Sequence, residues 1–315
     1  MSDFTLRKAD NLVEAEGYLD SVKLEEKTIP YKDKKTNEDA VIEKVQGEIV
    51  VEVNDVTKIK FRVDVNRYKA DGTQSKVYDK VMAIKNDYVS KAQSATLGKP
   101  ADRVRVKGSF DHRDHLNADK TELWSYGVYN FNFSERVDEL KFKPHTRFEV
   151  EMYTEAIEEE KRDEVPTGAV YVNGIVPLFN RVIPLRLRYA TVETADGNNI
   201  DLGAYIKENF AVGKTFKAYG EIVGEVHTTT GKQTIIGAQQ TFETISVKPV
   251  VTAISEQYLI TDVKQFDKES IKAAMNARQE MLDKIKEKMV GGDNNETAPV
   301  IGAAPVANTQ RELNW

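Results

Sequence analysis

The sequence contains no cysteine, which excludes disulfides, thiolate metal sites and a cysteine nucleophile. Histidine is scarce as well, and four residues leave little for a triad or an acid–base pair. No apolar run approaches a membrane span, and the opening MSDFTLRKADNL lacks the apolar core of a secretory signal. A cytoplasmic location without membrane contact is the default expectation. Bulk positive charge is also missing. A net charge of −6 argues against a protein that grips duplex DNA by overall charge, but leaves room for a local basic groove.

The usual catalytic signatures are absent too. There is no Gly-rich dinucleotide fingerprint and no H-E-x-x-H. Gly213-Lys214-Thr215 resembles the end of a phosphate loop, but Glu208 stands where the first glycine belongs and a strand follows, so it reads as a turn. Asp111-His112-Arg113-Asp114-His115 groups metal-ligating types, yet Arg113 would repel a cation, and a polar hairpin loop is the plainer reading. Glu158-Glu159-Glu160 has nothing apolar around it to raise a pKa and reads as a solvated hairpin end. The expectation is a protein that is not an enzyme and takes no metal or cofactor.

What is present is strand. In Arg103–Phe110 the side chains alternate, with Arg103, Arg105 and Lys107 on one face and Val104, Val106 and Phe110 on the other. A polar loop over 112–121 follows. The chain then returns through Trp124, Tyr126, Tyr129, Phe131 and Phe133. Earlier, Glu14–Lys27 and Val45–Val53 read as strands. Lys58–Asn66 is a third, with Lys58, Lys60 and Arg62 on one face and Ile59, Phe61, Val63 and Val65 on the other. Helical spacing predicts one helix over about 76–92.

The second half repeats this order. Glu16-Gly17-Tyr18-Leu19-Asp20-Ser21-Val22 matches Glu151-Met152-Tyr153-Thr154-Glu155-Ala156-Ile157 in type and phase. Gly47 matches Gly168, Ala70-Asp71-Gly72 recurs as Ala195-Asp196-Gly197, and a helix over 200–210 follows. Val104–Gly108 answers Phe216–Gly220, and the closing hairpin becomes 221–247, turning at 230–232. Five matches in one order favour a duplicated domain. Each copy reads strand–strand–strand–helix–strand–strand, the order of an OB-fold barrel and also of other small antiparallel barrels. The fold expected is mainly β: two tandem OB-fold-like five-stranded barrels, each with one helix, over 1–142 and 143–252. An extra strand (256–263) and a C-terminal helix capped by Asp267 fill 253–290, and a disordered tail fills 291–315.

The basic faces admit ordinary solvent exposure with cross-strand salt bridges, or a groove that tracks a phosphate backbone. Candidates for the groove are Lys58, Lys60, Arg62, Arg103, Arg105, Lys107 and Arg113 in the first copy, with Arg186, Arg188 and Lys217 in the second. Alternation puts Trp124, Tyr126 and Val128 on one face and Tyr129, Phe131 and Phe133 on the other, unless a bulge at Gly127 shifts the phase. Trp124 and Tyr126 suit base stacking and Phe131 and Phe133 suit the core. Tyr219 is a weaker stacking candidate in the second copy.

The strand pair Val104–Phe133, its duplicate at Phe216–Val247 and the tail ending Glu312-Leu313-Asn314-Trp315 together resemble phage-type single-stranded DNA-binding proteins built from OB-folds, found in tailed phages and mobile elements of bacteria. The resemblance covers most of the chain on loose motifs. It implies a replication or recombination role in the host cytoplasm, coating displaced strands without reading their sequence. Arg311 departs from the strongly acidic tail of that group. Leu313 and Trp315 form an apolar tip suited to docking replication or recombination partners. Readings from other classes are a virion structural protein of duplicated β-barrels, or an accessory factor whose barrels bind protein.

Overall fold

The computed structural model describes residues 6–32, 39–69, 71–162, 164–179, 181–193, 196–229, 234–235, 238–239, 242–250, 259–260 and 263–289. The fold is mainly β. The first half holds β1 (Asn11–Lys32), β2 (Asp39–Glu52), β3 (Lys58–Asn66), α1 (Lys76–Asp87), α2 (Lys91–Leu97), β4 (Arg103–Leu116) and β5 (Leu123–Arg136). After a 3-10 turn at Glu139–Lys141 come β6 (His145–Arg162), β7 (Val165–Pro177) and β8 (Val182–Tyr189). Two short strands, β9 (Thr191–Glu193) and β10 (Asn199–Asp201), pair with each other and lead into α3 (Leu202–Asn209). The remainder is β11 (Thr215–Thr229), β12 (Thr234–Ile235), β13 (Ala238–Gln239), β14 (Phe242–Val250), β15 (Leu259–Ile260) and α4 (Lys268–Lys286).

Eleven strands join one large sheet, and their pairing closes on itself twice. β1 pairs β2, β2 pairs β3, β3 pairs β5 in parallel, β5 pairs β4, and β4 returns to β1. The second circuit runs β6, β7, β8, β14, β11 and back to β6, with β8 and β14 again parallel. This order is consistent with an OB-like fold. An antiparallel ladder between β1 and β6, Asn11↔Val150 to Glu16↔His145, joins the circuits into one sheet and crosses the expected boundary at 142/143. β1 carries a register break at Asp20, and β6 carries one at Glu155 and a second at Glu160.

Alternation builds the core. Ile59, Phe61 and Val63 of β3 and Val104, Val106 and Phe110 of β4 are buried, as are Phe148, Val150 and Met152 of β6 and Leu185, Leu187 and Tyr189 of β8. At about 25 cal/mol per Å² of apolar surface removed from water, these inward faces are the main favourable term.

Several expectations need correction. The helix expected over 76–92 is two: α1 stops at Tyr88, which is extended, and α2 starts behind a capping box of Ser90 and Gln93. The break is fixed by Asp102, whose carboxylate accepts Val89 N at 2.7 Å and whose N–H donates to Val89 O. The polar loop expected over 112–121 is mostly strand, because β4 continues to Leu116 and the turn spans only 117–122, where Asn117 Oδ1 accepts from Thr121 N and Glu122 N. The register break in this hairpin leaves Asn132 unpaired, not Gly127. Gly213 sits at φ 85° just before β11, as the turn reading of 213–215 requires. Of the extra strand expected over 256–263, residues 259–260 pair with β11. The tail 291–315, with Leu313 and Trp315, and the 230–232 turn lie outside the described residues.

Candidate nucleic-acid interface

Cross-strand pairing sorts the β4–β5 hairpin into two faces. Asp111↔Val128, Arg113↔Tyr126 and His115↔Trp124 share the outward one. Tyr129 and Phe131 point inward and are buried. The break at Asn132 turns Phe133 outward instead, where it is 37% exposed under Lys80, so its expected place in the core is corrected. On the outward face the His115 ring meets Trp124 and Tyr126 edge-on, each at 5.7 Å between centroids. Trp124 Nε1 donates to Glu122 at 3.0 Å, and Tyr126 is 36% exposed. The three rings form one aromatic cluster on the outer surface.

β3 lies beside β5, and its outward residues Lys58, Lys60, Arg62 and Asp64 continue this face. Asp64 decides its charge. Lys44 Nζ lies 2.6 Å from its carboxylate, Arg62 Nη2 at 2.9 Å and Arg113 Nη2 at 3.9 Å. Burial pushes the Asp64 carboxyl up, but bonds from Lys44 and Gln46 and the Arg62 charge outweigh it and hold it below the usual range. One carboxylate thus serves three cations, so this group keeps a formal positive excess, while Glu122 places a carboxylate on the Trp124 side of the rings. Arg113 Nε has no hydrogen-bond partner.

Most other candidate cations are already engaged. Lys58 is held by Asp20 at 2.7 Å and Glu52 at 3.0 Å, and Lys60 by Glu48 at 3.0 Å. Arg103 pairs with Glu139, Arg105 with Glu16 at 2.6 Å and Glu135 at 3.0 Å, and Lys107 with Glu14 at 3.3 Å. Arg105 and Lys107 lie against an acidic column, Glu14 and Glu16 of β1, pinned between β4 and β6 and almost fully buried, while Arg103 lies opposite Tyr18. Burial pushes Glu14 up, but Arg147, His145 and Lys107 outweigh it and keep its pKa low. Here Arg105 and Lys107 neutralise buried carboxylates and Arg103 pairs with an exposed one, and the ordinary salt-bridge alternative describes all three.

In the second circuit Arg188 binds Glu160 through two nitrogens, at 2.8 and 2.9 Å, and is mostly buried. The Arg186 guanidinium carbon lies over Tyr171, 3.8 Å from the ring centroid, with Glu158 at 3.0 Å. Lys217 is gripped by Asp10 and Glu149, with the Tyr219 ring at 5.6 Å. It sits on β11 beside β6, so the structure does not bring Lys217 and Tyr219 together with Arg186 and Arg188.

The family described as YorF matches residues 9–288. The chain belongs to the YorF family. No curated relative matches it. Among solved structures it is similar to the wild-type single-stranded DNA binding protein of Thermus aquaticus, at 8% identity and TM-score 0.37, covering 82% of this chain and 95% of that one. A deletion mutant of the same Thermus protein gives 10% identity and TM-score 0.40 over 82% and 98%. The likeness is distant.

Sequence reasoning missed Lys44, Asp64 and His115. Lys44 falls one residue before the strand read over Val45–Val53, but β2 begins at Asp39. His115 becomes legible only when the turn is placed at 117–122, which sets it opposite Trp124. The same alternation splits the metal-like run Asp111–His115 between two faces, with His112 and Asp114 in contact at 3.3 Å on one of them. Asp111 accepts from Arg181 at 2.5 Å, Asp114 from Arg278 at 2.6 and 3.0 Å, and His115 joins the rings. A cavity of about 120 Å³ lies behind the hairpin, between His112, Val182, Ala274, Arg278 and Met281.

Proposed function

We propose that this YorF-family chain binds single-stranded DNA without reading its sequence and is not an enzyme. The observation that carries this reading is the shared carboxylate of Asp64, which leaves Lys44, Arg62 and Arg113 net positive beside an exposed cluster of His115, Trp124 and Tyr126. A basic strip holds phosphates and rings stack unpaired bases, each stack being worth about 1–3 kcal/mol. In this reading the two pairing circuits are OB-fold barrels in tandem, descended from one duplicated unit. The register breaks at Asp20 and Glu155 support that descent, since those two residues are equated by the repeat itself. The setting in phage or mobile-element replication and recombination, and partner docking by Leu313 and Trp315, are extended from the sequence resemblance.

The test is fluorescence. With two tryptophans in the chain, a Trp315→Phe background leaves Trp124 as the reporter. Oligothymidine is expected to quench Trp124, and affinity is expected to fall as salt rises, with a log–log slope of about −0.7 per phosphate contacted. No quenching and no salt-dependent binding would remove the proposal and leave a structural or protein-binding role.

A further inference from the structure

We propose that one nucleic-acid strand passes from the first circuit to the second over the β7–β8 turn, and that Phe179 stacks a base at the crossing. This rests on the binding reading above and names its path. Phe179 is 90% exposed at the tip of that turn. A lone exposed apolar ring is ordinary on a protein surface, so its position has to carry the argument. Leu178 packs against the core behind it, and Leu178 N donates to Arg181 O at 2.8 Å, which closes the turn.

Arg181 fixes where the turn lies. Its guanidinium donates to Asp111 Oδ1 at 2.5 Å, and Asn130 Nδ2 donates to Asp111 Oδ2 at 2.6 Å. Asp111 is on the outward face of β4, two positions from Arg113 and so roughly 7 Å along the strand at ~3.4 Å per residue. The second circuit therefore touches the first at the foot of the ring cluster. From the same turn β8 leaves with Arg186 on its outer side, five residues and roughly 17 Å beyond Arg181. There the Arg186 guanidinium lies over the Tyr171 ring, 3.8 Å from its centroid, and the two make the planar group on this side. Phe179, exposed two residues before Arg181 in this same turn, is the ring that a strand following Arg113 towards Arg186 would meet at the crossing.

The experiment compares Phe179→Ala with Tyr126→Ala, using fluorescently labelled oligothymidines of about 6 and about 20 nucleotides, lengths set by the ~4–16 nucleotides one OB-type site covers. Anisotropy gives the affinity. Phe179→Ala is expected to bind the short strand as the wild type does and the long one about 5- to 100-fold more weakly, which is ~1–3 kcal/mol. Tyr126→Ala is expected to weaken both. If Tyr126→Ala weakens both and Phe179→Ala changes neither, the strand does not cross this turn. If Phe179→Ala weakens both lengths alike, Phe179 belongs to the first site and the crossing is wrong. If neither variant matters, the binding reading fails and the path fails with it.

Discussion

At the residue scale, what separates a binding cation from a structural one is the number of carboxylates it faces. Arg105 faces Glu16 and Glu135, whereas Arg113 shares one distant carboxylate with two other cations. Arg113→Ala is therefore expected to weaken single-strand binding to every sequence and to reduce the salt slope by about one phosphate contact. Arg105→Ala is expected to leave the slope unchanged and to lower stability, because it strands the buried Glu16 carboxylate. Salt titrations of the two variants check this, and equal slopes for both would refute the distinction. A second residue-scale prediction concerns acid. Burial pushes the Glu160 carboxyl up, but bonds from Arg188, Tyr171 and Thr167 outweigh it and hold it at about 2, and burial and Glu160 together push the Tyr171 hydroxyl up to about 12. The folded carboxyl titrates well below the unfolded one, near 4.5. Its stabilisation, on the order of 3 kcal/mol, is therefore complete above about pH 5 and disappears as pH falls towards 2. Glu160→Gln is expected to lower stability at pH 7 and to flatten its decline between pH 5 and 2, read by urea unfolding across that range.

At the element scale, the β4–β5 hairpin is held from behind by α4. Asp114 accepts both guanidinium nitrogens of Arg278 and the Ser125 hydroxyl at 2.6 Å, and Ser125 sits between Trp124 and Tyr126. Burial pushes Asp114 up, but bonds from His112 and Ser125 and the Arg278 charge outweigh it, so the carboxylate stays ionised. Arg278→Ala breaks a nearly buried pair, a change that costs about 3–5 kcal/mol where no relaxation follows. It is expected to expose α4 to limited proteolysis and to shift Trp124 emission; an unchanged cleavage pattern would show that Ile271 and Ala274 dock the helix unaided. Much of this element was legible beforehand. The Asp267 cap placed the start of α4 to the residue, whereas the apolar stripe, which continues to Met289, overran its end at Lys286 by nearly a turn; capping and periodicity are local signals. The strands of the first half were legible for the same reason, and Lys58–Asn66 matches β3 at both ends. What local signals could not supply was partnership. The Tyr88 break depends on Asp102, the outward Phe133 on an unpaired Asn132, and the neutralised Arg105 and Lys107 on Glu14 and Glu16 some 90 residues earlier in the chain.

At the scale of the whole molecule, the two circuits are bound too closely to act as beads on a string. The N-terminal segment reaches across to the second: Ala9 N donates to Pro177 O at 2.9 Å, and Arg7 pairs with Glu151 at 2.6 Å while stacking on Phe266. The turn between β2 and β3 reaches across as well. Thr57 is buried there, and its hydroxyl accepts Gly224 N of β11 at 3.0 Å. Gly224 leaves no room for a side chain, because a Cβ would overlap the Val56 carbonyl oxygen. With the β1–β6 ladder added, loss of one circuit removes hydrogen-bond partners and buried contacts from the other. Thermal unfolding is therefore expected to be a single transition, with Trp124 emission, which reports the first circuit, coinciding with the far-ultraviolet signal of both. Gly224→Val forces the two backbones apart and is expected to cost about 1–3 kcal/mol, as overpacking does. Because the substitution lies in the second circuit, the decisive reading is in the first. If the circuits are coupled, the Trp124 transition moves down by the same few degrees as the far-ultraviolet one. If Trp124 melts at its wild-type temperature while the far-ultraviolet signal splits in two, the circuits fold independently and the shared ladder is a contact between domains.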